Sequence, residues 1–571
     1  MKISNFENND SSIYSDEEYE QFGNYGKEIF VLHNSNDNSI IIDEQKLRSK
    51  IHTNDFIEYI FKTVKKTVKC EDVLIRQIIY TGLSSYIEDD PINLGILAPT
   101  SEGKTYPVEE CMKYFPKQDI YKVGSMSAKV LVREKGRIVD GNLNPIEDKI
   151  KELKKAKKRT KDEEEKEIIN DEIEKLYEYA KTLIDLRGKI LVFLEPPHKE
   201  VWDILKPILS HDSPEIEFPF VNQTDREGHQ TKKVVVKGWP SCIFCSARDE
   251  SKWEIWPEIK SRCLITSPNM IPQKYQESTK LISLIYGLPN IIQQQIVISN
   301  NEIELARNCI LLIKQKITEL RSKNNNNDVN KISVWIPYTE LLEKELPSNK
   351  GTDVRLQKRI FSLLRIVPIV KFNLRKLLVF GNQTSIIADL DDLKEVLSIT
   401  QNFDGIPKFK ADFFNEIFYP CYKEKIEPDS NADGKKTEEI IAVTTRELCD
   451  YFKVIRKKPI STDNLKHTYL NQLINEGIID YTESKINARQ NIYYPLVTDS
   501  LSIESIMSPI DKDSQHSLTI YEKVIKNITE TWIFCEIMRL IRCRLDLTDF
   551  QLTEYVNNDW VDYSIFFNGL D

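Results

Sequence analysis

A lysine, three hydroxyl residues and two glycines occur between Gly95 and Thr105. The last eight residues of this stretch match a phosphate-binding loop, with alanine where the first glycine usually stands: Ala98, Pro99, Thr100, Ser101, Glu102, Gly103, Lys104 and Thr105. In such a loop backbone N–H groups surround the phosphates, the lysine reaches the outer phosphates and the threonine hydroxyl binds Mg²⁺. The stretch therefore predicts a site for ATP and Mg²⁺. The alternative is a Gly-Lys turn between a strand and a surface helix.

Continuous apolar segments precede the candidate groups, as expected for strands buried in a parallel sheet. Ile92 to Leu97 leads into the loop, and Lys189 to Glu195 ends in a carboxylate. Because ligands bind at the carboxyl ends of such strands, we expect Glu195 to face the nucleotide and orient the attacking water. Leu194 stands where an Asp commonly helps to hold the metal, so Mg²⁺ would depend on Thr105, Glu195 and the phosphates. The alternative is a strand-end glutamate that only meets solvent.

Two further residues are candidates for contacts with the terminal phosphate. Ser246 lies at the end of the apolar segment Ser241 to Ala247 and is expected to sense that phosphate. Arg262 comes just before another apolar segment. In ring-shaped ATPases an arginine so placed enters the site of the neighbouring subunit and stabilises transition-state charge. The alternative for Arg262 is an ordinary surface arginine.

The bulk composition is that of an ordinary globular chain. It has 571 residues, 40% of them hydrophobic and 29% charged, with a formal net charge of −10 and a pI of about 5.6. A nucleic-acid partner would therefore need a local basic face. No apolar run approaches the about 20 residues of a membrane span, and the acidic N-terminus is unlike a signal peptide. The ten cysteines are scattered, so we expect no membrane association and a reducing cytoplasm.

The length and the patterning predict an α/β chain of several domains. The expected parts are a disordered acidic tail (1–26), an N-terminal helical region (27–90), a nucleotide-binding core (91–295), a helical lid (296–400), a linker (401–436) and a helical C-terminal region (500–571).

Two segments within the core are expected to project from it. The charged segment 146–186 carries a sparse apolar stripe that predicts two antiparallel helical arms, which either grip a partner or form a solvated insertion. Glu215 to Val221 and Lys232 to Val236 predict a β-hairpin. Its basic residues are candidates for DNA phosphate contacts, and the alternative is a plain surface hairpin. These residues are Arg226, Lys232 and Lys233.

Residues 437–497 show a helix, a capped helix and a hairpin in succession. Ser461 is expected to cap the second helix, which ends before Gly477. The succession predicts a winged helix-turn-helix whose outward side chains enter a DNA groove. The predicted DNA contacts are Lys457, Lys458, Asn464, Lys466, His467, Lys485 and Arg489. The alternative is a winged helix used for protein contacts.

The order of these segments resembles the P-loop ATPase core of AAA+ helicases of the minichromosome-maintenance type, and in particular primase-associated helicases of mobile elements and prokaryotes. The residues that carry the likeness are Tyr80–Ser84, Ala98–Tyr106, Gly124–Ser127, Gly188–Glu195, Leu205–Ser210, Trp335–Tyr338 and Val354–Leu364. The resemblance covers roughly residues 50 to 400, and the loop is its most specific part.

The resemblance implies an AAA+ core of the ASCE type with a helical lid, assembled as a hexameric ring that hydrolyses ATP and translocates on DNA. It also implies that Tyr106 belongs to the nucleotide site, that Arg355 or Arg359 senses the nucleotide, and that a primase on another chain is a partner. Two other hypotheses stay open. One is an ATP-driven switch or loader that binds DNA without unwinding it, and the other is a DNA-binding regulator that does not hydrolyse ATP.

Overall fold

A computed structural model describes most of the chain between residues 31 and 562. The described residues are 31–33, 40–88, 91–123, 136–160, 162–178, 180–195, 199–211, 213–221, 231–247, 258–259, 262–323, 332–346, 348, 351–380, 383–400, 408–429, 442–475, 477–483, 491–496, 524, 551–556 and 559–562. The predicted tail 1–26 lies outside them, as do Gly124–Ser127, Arg226, Lys485 and Arg489.

Helices cover much of the described chain. They are α1 (Glu44–Ile51), α2 (Phe56–Lys65), α3 (Asp72–Ser84), α4 (Thr105–Met112), α5 (Glu147–Arg159), α6 (Glu163–Glu178), α7 (Lys199–Leu209), α8 (Pro272–Gly287), α9 (Asn290–Ile296), α10 (Asn300–Lys323), α11 (Thr339–Glu345), α12 (Gly351–Val370), α13 (Leu390–Ile399), α14 (Lys408–Phe413), α15 (Tyr419–Asp429), α16 (Thr445–Arg456), α17 (Thr462–Leu465) and α18 (Asn471–Asn475). Among the described residues, no helix has both the length and the apolar content needed to cross a bilayer.

The strands fall into four sheets and one small hairpin. They are β1 (Val31–His33), β2 (Ile40–Ile42), β3 (Asn93–Leu97), β4 (Ile120–Val123), β5 (Arg137–Val139), β6 (Lys181–Asp185), β7 (Ile190–Phe193), β8 (Glu215–Val221), β9 (Thr231–Lys237), β10 (Ser241–Ser246), β11 (Leu264–Thr266), β12 (Ser333–Trp335), β13 (Lys376–Phe380), β14 (Gln383–Ile387), β15 (Val443–Thr444), β16 (Ile479–Glu483), β17 (Asn491–Pro495), β18 (Gln551–Val556) and β19 (Asp559–Asp562).

The central sheet has the order β11–β3–β10–β7–β4, and every neighbouring pair is parallel. The α/β prediction is confirmed at this level. The strands are short apolar runs because both faces of the sheet are covered. Their side chains alternate between two hydrophobic clusters: Val192 and Ile243 belong to one, and Phe193 and Phe244 to the other. Residues of α3, α10 and α12 complete the first cluster, and residues of α7 complete the second.

A second sheet, in the order β5–β6–β9–β8, contains the predicted hairpin as β8 and β9. Helices α5 and α6 pack against each other, as the apolar stripe predicted. The prediction of helix through residue 186 is wrong for Lys181–Asp185, which forms β6 and pairs in parallel with β9. Leu183 continues the helical spacing of the stripe, but Ile184 is the residue that this segment buries.

A third sheet, in the order β12–β14–β13–β18–β19, corrects two predictions. The region 296–400 holds the expected long helix α10 but is not wholly helical, because it also supplies β12, β13 and β14. The region 500–571 is not wholly helical either, since β18 and β19 occupy 551–556 and 559–562. The strand β13 pairs with β18 from the far end of the chain. A pairing between strands so far apart in the chain cannot be predicted from local sequence periodicity.

The predicted linker 401–436 is wrong over residues 408–429. Helices α14 and α15 occupy this range and are joined by a π-helical turn at Phe414–Phe418. Phe413 and Ile417 recur at helical spacing and are buried. Pro420 lies in the first turn of α15, directly after the π-turn, where the regular hydrogen-bond pattern is already interrupted, so it does not end the helix. These helices pack with α16, α17 and α18 and with the sheet β15–β17–β16. We call residues 408–496 the C-terminal unit.

The absence of a side chain at Gly95 leaves room for Phe244 and Ile265 on the neighbouring strands, which gives a test of the packing. A Cβ atom on Gly95 would lie 2.5 Å from Cζ of Phe244 and 2.9 Å from Cδ1 of Ile265. We expect Gly95→Ala to lower the free energy of unfolding by about 1–3 kcal/mol, the usual cost of overpacking a core. Gly141→Ala is the matched control, because nothing lies within 4 Å of its added Cβ. Equal denaturant midpoints for the two variants would contradict this packing.

Candidate nucleotide site

The segment Ala98–Lys104 forms a loop at the carboxyl edge of the central sheet, between β3 and the start of α4. The backbone N–H of Ala98 donates to the carbonyl of Ser246 at 3.2 Å, which continues the pairing of β3 with β10 for one more residue. Ser101 and Gly103 both have positive φ angles, 69° and 75°. Residues of positive φ that alternate with residues of negative φ turn successive backbone N–H groups toward one side, an arrangement that suits an anion.

The loop is held from below by a buried lysine. Lys274, at the start of α8, donates to the carbonyl of Glu102 at 3.1 Å and to the carbonyl of Asn269 at 3.0 Å. Its ammonium also forms an ion pair with Glu71 at 2.5 Å, and both side chains are less than a tenth exposed. At the surface, the hydroxyl of Tyr275 donates to the Glu102 carboxylate. The loop therefore has a fixed shape before any ligand arrives.

Lys104 is turned into its own loop. Its ammonium donates to the carbonyl of Pro99 at 2.7 Å. Partial burial lowers the pKa of Lys104, while the neighbouring Cys245 and Glu102 act in the opposite direction. A polyphosphate in the loop would replace the carbonyl as hydrogen-bond acceptor and would supply the negative charge that the buried ammonium lacks.

The register of the sheet brings Glu195 and Ser246 to the same edge as the loop. Gly95, Phe244 and Phe193 lie side by side on β3, β10 and β7. Two residues beyond each of them stand Leu97, Ser246 and Glu195. Neighbouring strands are about 4.8 Å apart and β10 lies between β3 and β7, so the backbone of Glu195 lies about 10 Å from the start of the loop. Glu195 is exposed at this edge, and Ser246 is buried between the flanking strand ends.

This edge carries a hydroxyl and a carboxylate, which are oxygen donors of the kind that Mg²⁺ uses. Mg²⁺ usually keeps several waters and binds through one or two carboxylates plus substrate phosphates. Thr105 begins α4 directly after Lys104, and Glu195 supplies the carboxylate. Leu194 packs against the hydrophobic core, as an apolar residue would in that position.

Two neighbours of the loop have clear structural roles. Burial raises the pKa of Cys245 to about 12, and its Sγ lies 3.7 Å from the carbonyl oxygen of Lys104. Cys245 is therefore a neutral thiol that packs beneath the loop. Tyr106, which is 43% exposed, directs its hydroxyl to the carbonyl of Thr67 at 3.3 Å. It joins the site to the N-terminal helices.

Arg262, Arg355 and Arg359 lie together at the opposite, amino edge of the sheet. They line a cavity of about 310 Å³ beside Asn93, where β3 begins. The structure therefore does not bring Arg355 or Arg359 to the loop of the same chain, because α12 passes the amino edge of the sheet and not its carboxyl edge. Arg262 donates from Nε to Oγ of Ser210 at 2.5 Å.

Burial lowers the pKa of Arg359, and the positive charge of Arg355 acts in the same direction. The described lining residues of this cavity include three arginines, Lys358 and His211, and no carboxylate. An anionic group entering the cavity would favour the charged form of Arg359.

The predicted DNA contacts are divided among several places. Lys457, Lys458 and Asn464 line a cleft of about 470 Å³ between loop residues 99–102 and the C-terminal unit, so they face the loop. We call this 470 Å³ cavity the loop cleft. Elsewhere on the C-terminal unit, Lys466 is half-buried, and the exposed His467 lies 3.4 Å from Asn471. On the second sheet, Lys233 forms an ion pair with Glu217 at 3.0 Å, and Lys232 lies on β9.

Sequence reasoning missed Glu71, Lys274 and Tyr275, which hold the loop. Lys274 and Tyr275 sit at the start of an otherwise ordinary helix, and Glu71 is far away in the chain. No spacing rule connects them. The one local signal is that Pro272 begins a helix directly after β11, which returns the chain to the edge where the loop lies.

Comparison with known proteins adds nothing to the geometry: no protein-family model matches the chain, and no curated protein is significantly similar to it.

The buried ion pair beneath the loop can be tested by removing its acid. Glu71→Gln keeps the shape of the side chain but leaves the Lys274 ammonium without a counter-charge. We expect the free energy of unfolding to fall by about 3 kcal/mol, because breaking one partner of a buried pair costs about 3–5 kcal/mol. Glu277→Gln on the same helix as Lys274 is the control, since this half-buried carboxylate accepts hydrogen bonds from Gln273 and the Cys70 thiol and not from Lys274. A denaturant midpoint for Glu71→Gln equal to that of the control would refute the role of the pair.

Proposed function

We propose that this chain is an ATP-hydrolysing motor that translocates on DNA. The observation that carries the proposal is the meeting of three parts at one edge of a parallel sheet: the loop with Lys104, the hydroxyl of Thr105 and the carboxylate of Glu195. Ligands of open α/β sheets bind at this edge, and a loop that leads from a strand into a helix suits a polyphosphate. The loop sequence supports a P-loop, and the resemblance to AAA+ helicases supports ATP as the substrate.

The residues then have distinct tasks. Lys104 would leave the Pro99 carbonyl and bind the outer phosphates, which stabilises negative charge that develops there during transfer. Glu195 would orient a water molecule for attack and accept its hydrogen bond, and Ser246 would contact the terminal phosphate. A bound Mg²⁺, held by Thr105 and Glu195 together with the phosphates, would neutralise charge on the leaving group.

The arginines at the amino edge support assembly into a ring. Arg262, Arg355 and Arg359 are on the wrong side of the sheet to reach the nucleotide of their own chain. In a head-to-tail assembly, the arginines of one subunit would approach the carboxyl-edge site of the neighbouring subunit. Head-to-tail contacts form a ring when the rotation between subunits closes. An exposed apolar surface is present on α8 and α9 for such a contact: Ile282, Tyr286, Ile291 and Ile296 are between 55% and 87% exposed. We propose a hexamer, by resemblance.

DNA is the proposed track. The C-terminal unit has the helix, capped helix and hairpin order of a winged helix, with Leu465 and Leu473 buried and Ser461 capping the second helix. Lys466 and His467 lie on that second helix and could meet phosphates. By the same resemblance, a primase on another chain is a proposed partner.

One observation favours a second candidate, an ATP-driven switch or loader that binds DNA without unwinding it. Leu194 leaves a single carboxylate for the metal, and Lys457 and Lys458 are turned toward the loop. A switch needs nucleotide to alter the C-terminal unit but does not need fast turnover. Strand release from a forked duplex in the presence of ATP separates the two, since only the motor releases a strand.

The first test of the proposed function is the removal of the loop lysine. We expect Lys104→Ala to lower the ATP hydrolysis rate, measured with and without single-stranded DNA, at least about 100-fold, because a preorganised charge contact is lost. Lys113→Ala is the control, because this exposed lysine stands at the other end of α4 and pairs with Glu110. Hydrolysis that survives in Lys104→Ala at the control rate would defeat the proposal.

The second test asks whether Arg262 serves a neighbouring subunit. Arg262→Ala is expected to reduce ATP hydrolysis about 10³-fold, as for other arginines inserted into a neighbour's site. Mixing Arg262→Ala with Lys104→Ala subunits should restore measurable activity, because some mixed interfaces combine an intact loop with an intact arginine. If the mixture is as inactive as its two components, Arg262 does not act across an interface.

A further inference from the structure

The loop cleft joins the phosphate-binding loop to an aromatic surface of the C-terminal unit. One wall consists of Pro99 to Glu102. The opposite wall and the mouth carry aromatic rings, namely Tyr275, Phe409, Phe413, Phe452 and Tyr469. A wall that suits phosphate and a wall that suits a flat ring thus face the same cavity.

The aromatic wall is preorganised. The rings of Phe413 and Tyr469 are stacked with centroids 4.4 Å apart and an interplanar angle of 24°. Phe452 packs against both of them, 6.3 Å from Phe413 and 5.9 Å from Tyr469. These rings are nearly buried by one another, whereas Tyr275 at the mouth is 40% exposed. A flat ligand ring would therefore find a rigid floor and one accessible ring to stack on.

We propose that the loop cleft binds the base and sugar of the nucleotide whose phosphates lie on the loop, so that the C-terminal unit forms part of the nucleotide site. This inference rests on the proposed function. The loop holds the phosphates, Tyr275 stacks on the base, and the amide of Asn464 at the rim offers a donor and an acceptor to the base edge. The ligand class is a nucleoside triphosphate.

The size of the loop cleft suits a single nucleotide. Its volume of about 470 Å³ lies within the range of about 300–1,000 Å³ common for small-ligand sites. The loop closes one wall, so a base in the cleft is adjacent to whatever the loop binds.

The contacts that already hold the C-terminal unit near the loop explain how the site forms. Arg456 donates to the carbonyl of Met270 at 3.2 Å and pairs with Glu416 at 2.8 Å. Met270 itself packs against the core of the C-terminal unit. A base between the two walls would add contacts to both, so nucleotide binding and the docking of the unit would strengthen each other.

The test compares two ligands that differ only in whether they carry a nucleoside. Tyr275→Phe removes the hydroxyl contact with Glu102 but keeps the ring, so it is the reference for any effect on the loop itself. Relative to Tyr275→Phe, Tyr275→Ala should raise the Kd for Mg-ATP about 5- to 100-fold, the range expected for loss of a stacked aromatic ring, and the two variants should bind inorganic tripolyphosphate equally. Tyr177→Ala is the matched control, because this tyrosine on α6 is 37% exposed and lies outside the cleft. Asn464→Ala should weaken ATP binding but not tripolyphosphate binding.

Three results would overturn the inference: an unchanged Kd for ATP in Tyr275→Ala and Asn464→Ala, an equal loss for both ligands, or a loss confined to single-stranded DNA. These differ from failure of the proposed function. If the full-length wild type binds neither ATP nor tripolyphosphate, or if Lys104→Ala binds ATP as well as wild type, the nucleotide site itself is absent. If Lys104→Ala loses ATP binding while Tyr275→Ala keeps it, only the role of the loop cleft is refuted.

Discussion

The parallel pairing of β3, β10 and β7 is the constraint on which the candidate site depends. Because the three strands point the same way and are in register at Gly95, Phe244 and Phe193, their carboxyl ends fall along one line. The loop, Ser246 and Glu195 stand at those ends, so the strand register alone brings them to the same edge of the sheet. The register is fixed by the two hydrophobic clusters, since sliding one strand by a residue would exchange the faces of its side chains.

A second level of organisation holds the loop in shape. The Lys274–Glu71 pair supports it from the buried side, and the C-terminal unit approaches it from the solvent side. The basic residues at the amino edge, by contrast, have no route to the loop within one chain. The molecule therefore has one edge that suits the binding of polyphosphate and another that suits the presentation of positive charge, which is the asymmetry a head-to-tail assembly needs.

The sequence could predict the parts whose signals are local. The strands β3, β7 and β10 are continuous apolar runs, and α10 and the helix capped by Ser461 have regular spacing and a cap. The misses are non-local: β13 pairs with β18 across the chain, and β6 is defined by its neighbour β9. The placement of Arg355 depends on how α12 crosses the sheet. Nothing local in the sequence shows that the loop lies opposite Lys457 and Lys458, and their contact with DNA stays a prediction.

The most direct test of the central claim is a structure of the protein with Mg²⁺ and a non-hydrolysable ATP analogue. The account predicts that the outer phosphates lie within hydrogen-bond distance of the Lys104 ammonium and of the loop N–H groups, with Glu195 facing the terminal phosphate across one cleft. A nucleotide bound elsewhere, with Lys104 still donating to the Pro99 carbonyl, would contradict it.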